Sequence, residues 1–282
     1  MTAVGLALLS ALCFGAMSVS LRMGLQREPD VAVAAIATVT SAVAVSLVAT
    51  AAESPSRGLH VGSAWPFLLV GILSPGGAQI LATIAIREAG ASRVSMVFGA
   101  APLVSVTIAL VFLGEPVRAP LIAGAVLVVA GGVELARERD RPAHLNRVGL
   151  VYALVGTTLF AIRDNVVRHL AVGSTAVSPA VAAAAALLGG TVLIGVWART
   201  WISRRWLGFM PAGVLFGTSY VALFEAFYRG RVTVVAPLVA IESLFGVGLS
   251  ALFLRESELV GKRLVFGALL IVAGGVLIGA FR

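Results

Sequence analysis

Four charged residues stand where the surrounding sequence is almost wholly apolar: Arg163, Asp164, Glu225 and Glu242. A carboxylate in such a place can take up and release a proton. A guanidinium there can hold a polar solute. Neither is placed idly, because each costs about 2.5–3.5 kcal/mol to insert at the centre of an apolar membrane span and such residues rarely face lipid. Local partners account for two of the four: Asp164 with Arg168, and Glu225 with Arg229, are spaced i, i+4, a spacing that brings helical side chains together. Arg163 and Glu242 have no such neighbour. The sequence therefore predicts an Arg163–Glu242 pair between two different helices, lining a central cavity and contacting solute, with Glu242 as the candidate for proton coupling.

A second constellation is conformational. Pro75, Gly76 and Gly77 fall near the middle of a long apolar run, where proline removes a backbone hydrogen bond and glycine adds little stiffness. They are expected to form a hinge, tolerated only where protein or a wet cavity satisfies the freed backbone groups. Gln79 follows on the same helix and can line the same cavity. Gly124 and Gly131, and again Gly267 and Gly274, are seven residues apart, so each pair shares one helix face. Small residues let helices approach closely in lipid, and these four are expected to pack the two helices against each other.

Other chemistries lack their residues. His60, His144 and His169 are scattered without metal-ligand spacing, no Gly-x-Ser-x-Gly elbow occurs, and no Walker-type loop offers ATP a site. Neither a metal nor a cofactor is expected, and no enzyme activity. Cys13 is the single cysteine, which excludes an internal disulfide. The net charge of +8 does not point to nucleic acid, because the arginines sit mostly between apolar runs and form no basic stripe with interleaved aromatics.

The elements that would position these residues follow from composition. The 282 residues are 59% hydrophobic and 12% charged, with a mean hydropathy of +1.02. That much apolar surface needs lipid as solvent. Runs long enough to cross a bilayer fall near 3–22, 31–51, 64–86, 93–113, 119–136, 149–170, 176–198, 207–228, 232–254 and 264–281. The N-terminal run lacks a basic leader and is expected to be retained as the first membrane helix. The chain also repeats itself. "LSPGGAQILATIAIREAGAS" from Leu73 lies over "VLFGTSYVALFEAFYRGRVT" from Val214 at an offset of 141, which also carries Glu115 onto Glu256. "FGAMSVSLR" from Phe14 lies over "FAIRDNVVR" from Phe160. Residues 1–139 and 147–282 are thus expected to be two five-helix units. Five is odd, so the second unit enters the membrane from the opposite side. The expected fold is an all-α membrane protein of ten transmembrane helices in two inverted five-helix repeats, an arrangement suited to alternating access. Glu115 and Glu256 end the fourth and ninth runs and are expected to anchor them at the interface.

The doubled segments "PLVSVTIALVFLGEP" with "GAVLVVAGGV", and "ESLFGVGLSALFLRES" with "GALLIVAGGV", resemble the EamA family of the drug/metabolite transporter superfamily. The resemblance covers nearly the whole chain. It departs where members often have proline and this chain has Ser243, although the first half keeps Pro102, and where the second "LGE" reads "LRE". It implies secondary, ATP-independent transport of small metabolites or drugs across the cell membrane. In the family's arrangement the first, third, fourth, sixth, eighth and ninth helices surround a cavity, so that Asn165 and Tyr220 join Gln79, Arg163 and Glu242 around the solute, while the fifth and tenth pack outside. The expected partners are membrane lipid, a small-molecule solute and protons. A non-transporting membrane scaffold and an intramembrane enzyme on lipid-linked substrates are the alternatives. Fourteen basic residues fall in loops after odd-numbered runs and six on the other side. The positive-inside rule then places both termini outside the cytoplasm, whereas some members of the family have them inside.

Overall fold

A computed structural model describes residues 2–57, 61–104, 119–136, 146–173, 177–199, 204–230, 232–254 and 260–280. Glu115 and Glu256 lie outside the described residues. Those described are helical throughout apart from short connections, with no strand among them. In an apolar solvent this is the expected outcome, since a helix satisfies its own backbone groups.

Helix α1 is Ala3–Arg27, opened by the Thr2 hydroxyl accepting from the Gly5 N–H at 3.2 Å. Helix α2 is Val31–Arg57, opened by Asp30 Oδ1 accepting from the Ala32 and Val33 N–H groups at 3.0 and 3.3 Å. Helix α3 is in two pieces, α3a Trp65–Gly71 and α3b Ala78–Ala89. A π-helical turn, Ile72–Gly77, joins them, with Ser74 far from helical geometry at φ −150°, ψ 115°. Helix α4 is Ala91–Phe98, and after a turn at Gly99 and Ala100 the chain is helical again over 101–104. Then follow α5 Ala119–Ala136, α6 Val148–Gly173, α7 Pro179–Ala198 and α8 Met210–Arg229. Helix α9 is again broken, into α9a Val232–Val239 and α9b Glu242–Phe253, before α10 Lys262–Ala280.

Six of the described helices are long and apolar enough to cross a membrane, and shorter apolar helices occupy 91–104, 122–134 and 242–253. Their outer faces are greasy: Ile122, Val126, Val129 and Val133 on α5, and Val265, Phe266, Leu269 and Val276 on α10, are all exposed. In water such stripes would be an aggregation surface; against lipid they need no cover.

The helices pair across the halves. Helix α1 packs on α8 and α6 on α3b; α1 packs on α9b and α6 on α4; α8 packs on α2, and α3 on α7. Exchanging each helix with the one five places later reproduces this set. The three pairs α2/α7, α4/α9 and α5/α10 map onto themselves, and in each the partners run antiparallel. A Cβ at Gly124 would lie 2.8 Å from the Gly274 carbonyl, and one at Gly131 2.6 Å from that of Gly267. Gly99 faces Ser243 while Gly246 faces Ser95. Gly195 faces Ile36 while Glu53 accepts from the Ala180 N–H.

Equivalent side chains also do equivalent work. The Arg22 guanidinium donates to the Ile86 and Arg87 carbonyls at the end of α3, at 3.4 and 2.7 Å. Arg168 donates to the Phe227 carbonyl at the end of α8, at 2.6 Å. The last carbonyls of a helix have no partner within it and carry its negative dipole end, so an arginine is well matched there. The 141-residue offset carries Ile86 onto Phe227.

The break in α9 is a departure from the continuous ninth run read from sequence. Around it the bonds tighten from i→i−4 to i→i−3: Ile241 N–H to the Leu238 carbonyl and Leu244 N–H to that of Ile241. The same two bonds occur in α4, from Ala100 to Val97 and from Leu103 to Ala100. In α4 the cause is Pro102, which has no N–H to continue the helix. Ser243 stands at the matching place in α9, and its hydroxyl takes the Ala240 carbonyl at 2.9 Å, an alternative to the regular ladder.

Candidate functional site

The two breaks meet at a cavity of about 40 Å³. Helix α1 contributes Phe14; α4 contributes Phe98, Ala101 and Pro102; α6 contributes Thr157, Phe160, Arg163 and Asp164; α9 contributes Ala236, Val239, Ala240 and Glu242. Helices α5 and α10 contribute no lining residue among those described. A volume of this size holds roughly three waters, so a metabolite needs the helices to move apart. By helical rise, Arg163 is roughly 23 Å from the start of α6 and roughly 15 Å from its end, which places the cavity well inside the membrane-spanning part of that helix.

Phe14 and Phe160 are equivalent residues of the two halves, and their rings touch edge to face with centroids 6.3 Å apart. Phe98 extends the row through Phe160 at 5.6 Å, and Phe216 and Tyr220 continue it beyond Phe14 at 5.7 and 6.5 Å. Gly15, next to Phe14, lets α1 approach the broken helix: a Cβ there would lie 2.8 Å from the Gly246 nitrogen and 3.0 Å from the Glu242 carbonyl.

Arg163 is 2% exposed. Its Nη2 and Nε donate to Asp164 Oδ1 at 2.7 and 2.9 Å. Its guanidinium carbon lies 5.0 Å from the Phe160 ring centroid and 4.8 Å from that of Tyr220, within cation–π range. This corrects two expectations from the sequence. Arg163 does not pair with Glu242, because its neighbour on α6 takes it first. Asp164 does not pair with Arg168, because one turn further along α6 that side chain reaches the end of α8. Adjacent residues on a helix do not normally face each other, but here the long arginine is confined by two rings and folds back onto the neighbouring carboxylate.

Glu242 faces the same cavity as the first residue of α9b, with no hydrogen bond or ion pair among the described residues. The N-terminus of a helix suits a carboxylate, since the dipole's positive end lies there. Glu225 pairs with Arg229, as their spacing implies.

The remaining sequence candidates lie around this centre. Tyr220 is fully buried against Arg163 but does not line the cavity. Gln79 is also fully buried, at the position equivalent to Tyr220, with neither amide atom hydrogen-bonded. Asn165 is half-buried and spends its amide on the Ala161 carbonyl at 2.8 Å. Pro75 and Gly76 sit in the π-turn of α3 against α7, where a Cβ at Gly190 would lie 2.6 Å from the proline ring and 2.9 Å from the Gly76 nitrogen. Gly77 closes that turn. No group of three or more His, Cys, Asp or Glu capable of holding a metal occurs among the described residues. Phe14, Gly15 and Phe160 were not singled out as site residues, although the aligned "FG" and "FA" pairs mark their places.

Apolar helices packed around a buried charged cavity are those of a multi-pass membrane protein. The profile of the EamA-like transporter family matches residues 1–134 and 147–280, and the chain belongs to that family. A search of curated proteins finds no match. A solved structure described only as the crystal structure of a protein is similar in fold, with a TM-score of 0.69 at 20% identity over 98% of this chain and 95% of the other.

Proposed function

We propose that the chain is a secondary transporter of small metabolites or drugs, working by alternating access between two inverted five-helix repeats in the cell membrane. The observation that carries this reading is the antiparallel packing of equivalent helices, with the broken helices α4 and α9 meeting the cavity at corresponding positions. Interrupted helices in matching places of two halves are the usual address of a transported solute. Ten spans follow if α4, α5, α9 and α10 cross together with the six longer ones. The charge count then puts both termini outside the cytoplasm.

In this state one end of the molecule is drawn together. Arg205 donates to both Glu28 oxygens at 2.6 Å and to Asp30 at 3.2 Å, tying the α1–α2 connection to the approach to α8. Gly24 of α1 packs closely on Phe209: a Cβ there would lie 2.7 Å from its ring. Rocking one repeat against the other would part these contacts and close the opposite end. Glu242, unpaired and facing the cavity, is the group through which a proton gradient would act. Arg163 and Asp164 shape the wall beside it. Gln79, Asn165 and Tyr220 would reach the solute only once the helices part, with the π-turn at Pro75, Gly76 and Gly77 as the hinge.

Proteoliposomes with an imposed pH gradient, supplied with labelled amines, amino acids and sugars, test this. The expected result is accumulation of one class above equilibrium, lost in Glu242→Gln. Exchange without accumulation in the wild type would remove the proton role. Absence of any protein-dependent flux would remove the transporter reading.

A further inference from the structure

We propose that the solute taken by this cavity is an organic cation: an ammonium or amidinium group on an apolar body. This rests on the cavity being the solute site. Among the described residues the charged side chains lining it are Arg163, Asp164 and Glu242. Arg163 is occupied: two of its three nitrogens bind Asp164, and rings flank its guanidinium. Only Nη1 is left without a partner, and it is buried. The Arg163–Asp164 pair is neutral as a unit, so the ionised cavity carries one net negative charge, that of Glu242.

An anionic solute would meet that charge with the N–H groups of one buried nitrogen, Arg163 Nη1, in compensation. A cationic solute would neutralise it, and an unpaired charge inside a protein is costly enough for such neutralisation to dominate selection. The walls suit the same ligand. Phe14, Phe98 and Phe160 present aromatic faces and edges around the carboxylate, and a cation gains from aromatic faces where an anion does not. In the first half, Ala101 stands where the second has Glu242, so the recognition is one-sided although the scaffold is doubled.

The test is calorimetric binding to the full chain in lipid nanodiscs at neutral pH, with no gradient, using three probes of similar shape: phenethylammonium, 3-phenylpropionate and 3-phenylpropanol. The expected result is that the ammonium binds at least about tenfold more tightly than the carboxylate, a difference of about 1.4 kcal/mol, and more tightly than the alcohol. Glu242→Gln should bring the ammonium-to-alcohol ratio toward one, and Glu242→Asp should retain the preference. Equal or tighter binding of the carboxylate overturns the proposal. So does the absence of ammonium binding at millimolar concentration, or a preference that survives in Glu242→Gln. None of these results touches the transporter reading, which stands or falls on flux across vesicles.

Discussion

Replacing Asp164 by Asn leaves the buried Arg163 guanidinium without the carboxylate it is hydrogen-bonded to. The magnitude follows from the geometry. Charge centres about 4 Å apart attract by about 4 kcal/mol at an effective dielectric of about 20, and breaking a buried pair by removing one partner typically costs about 3–5 kcal/mol. At about 2 °C per kcal/mol for a large domain, the unfolding midpoint in nanodiscs should fall by roughly 6–10 °C. The double variant Arg163→Met/Asp164→Asn should recover most of that loss, because it removes the stranded charge rather than exposing it. Glu242→Gln should be neutral or slightly stabilising, since the native carboxylate has no partner to lose. The reasoning is refuted if Asp164→Asn unfolds within about a degree of the wild type, or if Glu242→Gln is the costly change, which would restore Arg163–Glu242 as the structural pair.

Gly274→Leu should destabilise the chain by at least about 1–3 kcal/mol through overpacking, because even a Cβ there would lie 2.6 Å from the Gly124 carbonyl; thermal unfolding reads this directly. Arg22→Gln and Arg168→Gln should each lower the unfolding midpoint, and hydrogen exchange should rise at the end of α3 in the first and of α8 in the second. The hydrogen bonds from Arg205 hold the Glu28 carboxyl below the ordinary glutamate range. A depressed folded-state pKa contributes stability above the unfolded value and loses it as pH falls through the folded one. The difference in midpoint between wild type and Glu28→Gln should therefore be constant near neutrality and shrink below about pH 4; a difference that grows on acidification would contradict the pairing.

The doubled segments made much of the fold legible before any coordinates. The 141-residue offset that aligns Leu73 with Val214 also aligns the two capped carbonyls, Ile86 and Phe227. The spacing of Gly124, Gly131, Gly267 and Gly274 names the faces on which α5 and α10 meet, but spacing along one helix does not state which residue faces which on another. The site was harder to read. Glu242 and Arg163 stood out because isolated charge in an apolar run is conspicuous, and both line the cavity. Their pairing could not be read, because an i, i+4 rule describes surface helices and not an arginine confined between Phe160 and Tyr220. The break before Glu242 was hidden for a related reason. Ser243 occupies the place of Pro102 and interrupts the helix through its hydroxyl, without the visible mark of a proline.

The central claim is that equivalent halves rock about the cavity, and it is tested most directly by spin-label distances at the two ends of the molecule. With Cys13 replaced by serine, one pair at Gln26 and Leu207 reports on the end tied by Glu28 and Arg205, and one at Ala52 and His169 on the opposite end. Double electron–electron resonance in nanodiscs, comparing acidic with neutral pH and wild-type Glu242 with Glu242→Gln, should show the two distances shifting in opposite senses, one lengthening as the other shortens. Distances that stay fixed at both ends, or that lengthen and shorten together, would contradict alternating access by this chain.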